Sequence, residues 1–242
     1  MFVHGWMCDR TFWRSQTEEF AADHQVVLID LGGHGESGRG RVDWTMGGFP
    51  EDVIAVLDAL DLDDVILVGH SMGGPVVAEV AAKVPNRIRG LVAVDAYQYF
   101  GLPVLRGTGV ATMVARFEAE FVGAARTVVQ NMFVETSDPA LIERITGKML
   151  AGPPEVGIAA MRSNFEWYRD EGAAVLGELT LPITVINSTE YFPTDLDLLG
   201  EIAPSAVVTL MDGVGHFVML EDASQFNGIL TDAIADMTGQ RR

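Results

Sequence analysis

Residues 65–74 read VILVGHSMGG, an apolar run that stops at Gly69 and presents one serine, Ser71, between small and flexible neighbours. A short continuous apolar run of this kind fits a strand covered on both faces. Gly69 and Gly73 permit a sharp turn with close backbone contacts, and PVVAEVAAKV beyond them reads as a helix that tolerates Pro75 in its first turn. Strand, turn and helix together put Ser71 at the carboxyl edge of a sheet, facing the free N–H groups and positive dipole end of the helix. With 26 glycines in 242 residues, the G-x-S-x-G spacing is weak by itself, and a serine that merely caps the helix fits the same letters. Ser71 becomes a candidate nucleophile only if a base and an acid can reach it.

Working outward, the same kind of run recurs: MFVH at the start, VVLID (26–30), LVAVD (91–95), ITVIN (183–187) and AVVTLMD (206–212). Between them, PEDVIAVLDALDLD places Val53, Leu57 and Leu60 on one helical face, and SQFNGILTDAIADM does so with Phe226, Ile229, Leu230 and Ala233. Strand followed by helix, repeated, predicts an α/β fold with a mostly parallel central sheet flanked by helices. Residues 101–178 break the rhythm: VATMVARFEAEFVGAARTVVQNMF, the helix start at Asp138-Pro139 and the stretch after Pro153-Pro154 all read as helical. The expected organisation is a core of residues 1–100 and 179–242, with 101–178 an inserted helical lid or cap.

The chain carries 34 acidic against 16 basic residues, a net charge of −18, which argues against nucleic acid and anionic membranes as partners. Cys8 is the only cysteine, so no internal disulfide forms, and its packing beside the HGW segment reads as that of a small buried side chain. No signal-peptide pattern opens the chain, and no run approaches the roughly 18 apolar residues of a membrane span. A cytoplasmic location is expected.

A base for Ser71 should also sit at a strand's carboxyl end. After AVVTLMD comes GVGHFVMLED, where Gly213 and Gly215 let the loop bend and put His216 over the sheet edge. His4, His34 and His70 read as structural histidines: His4 ends the first strand, His34 lies in GGHGESG, and His70 should point away from its serine neighbour.

Taken together, FVHGW (2–6), DLGGHGES (30–37), GHSMGG (69–74) and GVGHFVMLED (213–222) resemble the α/β-hydrolase superfamily in order and spacing, over nearly the whole chain. The resemblance implies a serine hydrolase of the esterase, lactonase or perhydrolase kind, with Ser71 as nucleophile and His216 as base. It implies that the main-chain N–H groups of Trp6 and Met72 form an oxyanion hole. Relatives that open halides or epoxides carry Asp at the elbow, where this chain has Ser71. The acid departs from pattern: the text after ITVIN is NSTEYFPTD, with Tyr191 where many members carry Asp. Some members instead take the acid from the end of the preceding strand, which here is Asp95. Asp95 is the favoured acid, with Glu190, Asp195 and Asp197 as alternatives.

The expected activity is cleavage of small to medium uncharged esters or lactones through an acyl-enzyme, with no metal or organic cofactor. Met113, Phe117, Phe121, Met132, Phe133, Met161, Phe165 and Trp167 point to an apolar pocket under the lid, although most of them also read as ordinary helix core. The alternatives are a ligand-binding receptor or slow hydrolase that retains the triad, and a cofactor-free perhydrolase or C–C bond hydrolase. Family members have two or more strands ahead of the one ending in HG, whereas Met1-Phe2-Val3 opens this chain. That leaves VVLID at a sheet edge, so either upstream sequence is expected or the edge is covered by the chain's own segments or by a second copy in a homo-oligomer.

Overall fold

The computed structural model describes residues 1–40 and 43–240. Six parallel strands, β1 (Phe2–Val3), β2 (Leu28–Ile29), β3 (Val65–His70), β4 (Ile88–Val94), β5 (Ile183–Ser188) and β6 (Ala206–Met211), form one sheet in the order β2-β1-β3-β4-β5-β6. Their apolar runs reflect cover on both faces: Val68, Leu91, Val92, Ala93, Val185 and Ile186 are all buried. The helices of the first half are α1 (Arg14–Phe20), α2 (Phe49–Ala59) and α3 (Gly73–Lys83). Between β4 and β5 come α4 (Gly109–Ala119), α5 (Phe121–Gln130), α6 (Pro139–Leu150), α7 (Pro154–Asp170) and α8 (Gly172–Glu178), and the chain ends with α9 (Leu196–Ile202), α10 (Val218–Glu221) and α11 (Ala223–Thr238). On the sheet, α3 packs against β1, β3 and β4 with α2 and α8 beside it, while α11 packs against β4 and β5 beside α1 and α10.

Local signals account for several boundaries. Asp138 caps α6 by accepting the Ala140 N–H at 2.9 Å, with Pro139 in the first turn, and Asp222 caps α11 through the Gln225 N–H at 2.9 Å. Gly239, at φ 69°, closes α11 in the left-handed region. The helical stretch 110–133 is two helices, because Glu120 takes an extended conformation (φ −157°, ψ 87°) between α4 and α5. Leu60 differs from its expected place on the buried face of α2: the helix ends at Ala59, and Leu60 turns outward at 50% exposure. Strand β2 lies at one sheet edge, paired only through β1, in the register Phe2 to Leu28 and Val3 to Ile29.

What positions the chemistry is the junction of β3 and α3. A Cβ on Gly69 would stand 2.2 Å from the Gly73 carbonyl oxygen, and one on Gly73 would stand 2.6 Å from the Val3 carbonyl oxygen. Both positions need glycine because the turn folds the backbone onto itself and onto β1. The Gly69→Ala protein should lose about 1–3 kcal/mol of stability by overpacking, read from a urea melt. An unchanged midpoint would mean that the turn has more room than this geometry allows.

Candidate active site

The carboxyl ends of β3, β4, β5 and the loop after β6 converge on four side chains, Ser71, Asp95, Ser188 and His216. Ser71 stands just past β3 with φ 53°, a backbone conformation unfavourable for a residue with a Cβ, and its N–H is held by the Val94 carbonyl at 2.9 Å. Asp95, with φ 43°, occupies the corresponding place after β4, its N–H donating to Ile186 at 2.8 Å. Strain at consecutive strand ends is what the surrounding hydrogen bonds maintain.

Asp95 is fully buried, so its carboxylate needs donors. His216 Nδ1–H donates to Oδ2 at 2.5 Å, the Ser188 N–H donates to Oδ1 at 2.8 Å, and Gln98 Nε2 donates to Oδ2 at 3.3 Å. Burial pushes the Asp95 carboxyl well above the ordinary range, and nearby Glu221 adds to that push against the Ser188 N–H. Burial also lowers the His216 imidazole to about 3, which leaves the ring neutral at rest and able to take a proton at Nε2. Once protonated, that ring has a carboxylate against its other nitrogen.

The loop bearing His216 is itself clamped. The His216 N–H donates to the Met132 carbonyl at 2.6 Å, its carbonyl accepts from His70 Nε2 at 3.0 Å, and the ring lies 4.4 Å from Tyr191 and 4.7 Å from His70 between centroids. Glu221 accepts from the N–H groups of Gly215 (3.0 Å) and Phe217 (3.2 Å) and from the Ser137 hydroxyl (2.5 Å). The histidine loop is thereby tied to the segment between α5 and α6. His70 thus holds the His216 backbone from beside Ser71. His4 supports the other loop, with Nδ1 donating to the Gly5 carbonyl at 2.9 Å and Nε2 accepting the Leu31 N–H at 3.0 Å.

Ser71 opens into a cavity of about 300 Å³ whose walls include Trp6, Tyr99, Met132, Asn164 and Tyr191, with no charged side chain among its lining residues. A larger cavity, about 410 Å³, lies beside Met1, Val27, Val65 and Ile66, at the amino ends of β1 and β3, away from Ser71. Among the hydrogen bonds of the described residues, none joins the Ser71 hydroxyl to His216, and none uses the N–H of Trp6 or of Met72. Trp6 lies in the loop after β1 and Met72 directly before α3, and neither N–H has a partner among the described residues.

The other predicted residues fall elsewhere. Glu190 is exposed, Asp195 caps α9 through the Leu198 N–H at 3.0 Å, and Asp197 is exposed in the first turn of that helix. Tyr191, at the position where many relatives carry an acid, packs over the His216 ring instead. Cys8 is buried, its Sγ donating to the Trp6 carbonyl at 3.4 Å, and burial pushes the thiol well above its ordinary range. Among the described residues no group of three His, Cys, Asp or Glu is arranged to hold a metal, and no helix is long and apolar enough to cross a membrane. Glu221, Gln98 and the Tyr99–Tyr191 hydroxyl pair (3.3 Å) escaped the sequence reading. Glu221 carried a usable signal in its place within GVGHFVMLED, but Ser137, its partner, lies 84 residues away.

A model of the α/β hydrolase fold matches residues 1–138, more than half of the chain, and the chain belongs to that family. It is 29% identical over 236 residues to the dihydrolipoyllysine-residue acetyltransferase component of an acetoin cleaving system from Pseudomonas putida, covering 94% of this chain and 60% of that protein. The chain therefore spans less than two thirds of that relative's length. A thermophilic esterase from Thermogutta terrifontis shares the fold at TM-score 0.84 and 25% identity, over 98% of this chain and 89% of that one. A bromoperoxidase from Bacillus anthracis has TM-score 0.84 at 20% identity, over 97% and 91% of the two chains, a likeness of fold alone.

Replacing Glu221 by alanine strands two loop N–H groups and one hydroxyl. The variant should lose about 1–3 kcal/mol in a urea melt. A midpoint equal to wild type would show that water replaces the carboxylate without penalty.

Proposed function

We propose that the chain is a serine hydrolase that cleaves small to medium uncharged carboxylic esters or lactones through an acyl-enzyme. The observation that carries this reading is the 2.5 Å contact between His216 Nδ1 and the buried Asp95, at the same strand ends as the positive-φ Ser71. In the proposed first step His216 Nε2 takes the hydroxyl proton as Ser71 Oγ attacks the substrate carbonyl carbon. The alkoxide formed on the carbonyl oxygen is held by the N–H groups of Trp6 and Met72, charge stabilisation that the planar ground state does not draw on. The imidazolium, held by Asp95, then gives its proton to the leaving alcohol oxygen. Water deprotonated by the same nitrogen attacks the acyl carbon and frees the acid. Residues 101–178, with α4–α8, act as the lid in this scheme and wall the cavity. A lining without ionised side chains favours uncharged substrates, and the negative field of the whole chain disfavours anionic ones.

The missing Ser71–His216 hydrogen bond favours a second reading, a slow hydrolase or ligand-binding receptor that retains the residues but turns over poorly. Such bonds are often long in free enzymes and tighten on binding substrate, which keeps the enzyme reading first. p-Nitrophenyl butyrate separates the two: steady release abolished by Ser71→Ala supports the hydrolase, and a single stoichiometric burst supports the receptor. A screen of ester chain lengths then bounds the acyl pocket.

Exchanging Asp95 for asparagine should lower kcat on the order of 10⁴-fold, while Glu190→Gln should change little. The opposite ordering would move the acid to the later loop. Because the His216 imidazole is lowered to about 3, the neutral base persists as pH falls, so kcat/KM should hold through pH 6.5 and decline only on its acid side. An acid limb centred at or above 6.5 would contradict that assignment.

A further inference from the structure

Helix α7 carries Ser163, Asn164, Trp167 and Tyr168 among its buried or half-buried polar side chains, and the first, third and fourth of these are paired. Ser163 Oγ accepts the Met46 N–H at 2.9 Å, the Tyr168 hydroxyl accepts the Tyr97 N–H at 3.1 Å, and Trp167 Nε1 donates to Glu79 at 2.7 Å. The second, Asn164, is only 6% exposed, yet its Oδ1 has no donor, and its amide joins no hydrogen bond among the described residues. Asparagine is a poor helix former in mid-helix, and a buried carboxamide without partners is unfavourable, so nothing in the packing of α7 repays this residue.

Asn164 lines the cavity onto which Ser71 opens. The other polar groups of that wall are already engaged: Trp6 Nε1 donates to the Gly157 carbonyl at 2.7 Å, and the Tyr99 and Tyr191 hydroxyls bond each other at 3.3 Å. The remaining lining is aliphatic, thioether and aromatic. Besides the proposed nucleophile and the Tyr191 hydroxyl, which accepts from Tyr99 and keeps its own proton to give, Asn164 is the polar lining side chain whose hydrogen-bonding groups are wholly unused.

We infer that Asn164 is a specificity-determining residue of this cavity: its carboxamide receives a hydrogen-bond donor, an amide N–H or a hydroxyl, borne on the non-reacting part of an otherwise apolar, uncharged ester. The inference rests on the reading of Ser71 as nucleophile and names the substrate class of that same site. Oδ1 is closed off in the empty cavity, so a ligand with such a group satisfies it by turning the carboxamide into the cavity, where an alkyl chain leaves it unpaired, and the cavity discriminates by the penalty on the unmatched ligand.

The test compares p-nitrophenyl esters of straight-chain acids from four to eight carbons with ω-acetamido esters of matched length, using wild type and Asn164→Leu. The expected result is a preference of about tenfold or more in kcat/KM for an acetamido over an alkyl ester at one or more lengths, a ratio taken within each protein that falls to about one in the leucine variant. No preference at any length, or a preference that survives in Asn164→Leu, overturns the proposal. Asn164→Ala serves if the leucine variant does not fold, and failure of both to fold would make the residue structural and likewise overturn it. A binding arm uses the corresponding methyl ketones, which have no leaving group: the acetamido ketone should raise the melting temperature of wild type and of Ser71→Ala more than its alkyl counterpart, and not so in Asn164→Leu. Ketone discrimination without turnover of any ester would sink the esterase reading and leave the Asn164 subsite standing. Turnover without discrimination would do the reverse.

Discussion

A carboxylate with no exposure at all, Asp95, is the constraint around which the strand ends are arranged. Burying such a group is tolerable only with donors in good geometry, and the protein supplies them from three separate places: β5 through Ser188, the β4 turn through Gln98, and the loop after β6 through His216. Each donor fixes a neighbouring element. Ser188 goes on to donate through its hydroxyl to the Val214 carbonyl at 2.6 Å, and the same oxygen accepts from the N–H groups of Glu190 and Tyr191. The loop that carries the imidazole and the loop that carries Tyr191 are thus registered against one charge. Low dielectric strengthens every member of this network and makes the loss of any one expensive.

Around this fixed point the cavity wall carries no ionised side chain. Trp6 meets Phe117 and Phe121 at ring separations of 5.7 and 6.2 Å, so the loop after β1 is seated against α4 and α5. The aromatic contacts set how far those helices stand from the sheet. A wall of this kind binds through apolar area, and the placement of a few polar atoms decides orientation.

Much of the fold was legible because parallel strands covered on both faces are written as unbroken β-branched runs, and each run named from the letters contains an observed strand. The shortest are MFVH and VVLID, which contribute two residues each, Phe2–Val3 and Leu28–Ile29, paired with one another. Ser71 and His216 could be singled out because each follows the end of a strand, a position that can be counted along the chain, whereas Asp95 was favoured over Glu190, Asp195 and Asp197 by the family resemblance. The surface location of Glu190 and the capping duty of Asp195 could not be counted in that way: both depend on how the chain turns after β5, which the Ser188 hydroxyl decides. Asn164 was illegible for a different reason. Helical periodicity says that it points inward, but not whether a partner waits there. Leu60 shows the same limit in reverse, since a helix that stops one residue early exposes a side chain that its pattern would bury.

Met132 contributes to the site twice, its side chain to the cavity wall and its carbonyl to the N–H of His216. Only the first of these depends on residue type. Drift at that position can therefore reshape what the cavity admits while the peptide group goes on anchoring the imidazole, so cavity shape and the placement of His216 sit on one residue yet are free to vary apart. A proline insertion or deletion that displaced the 131–133 backbone would have the opposite character, disturbing the imidazole with every wall atom still present.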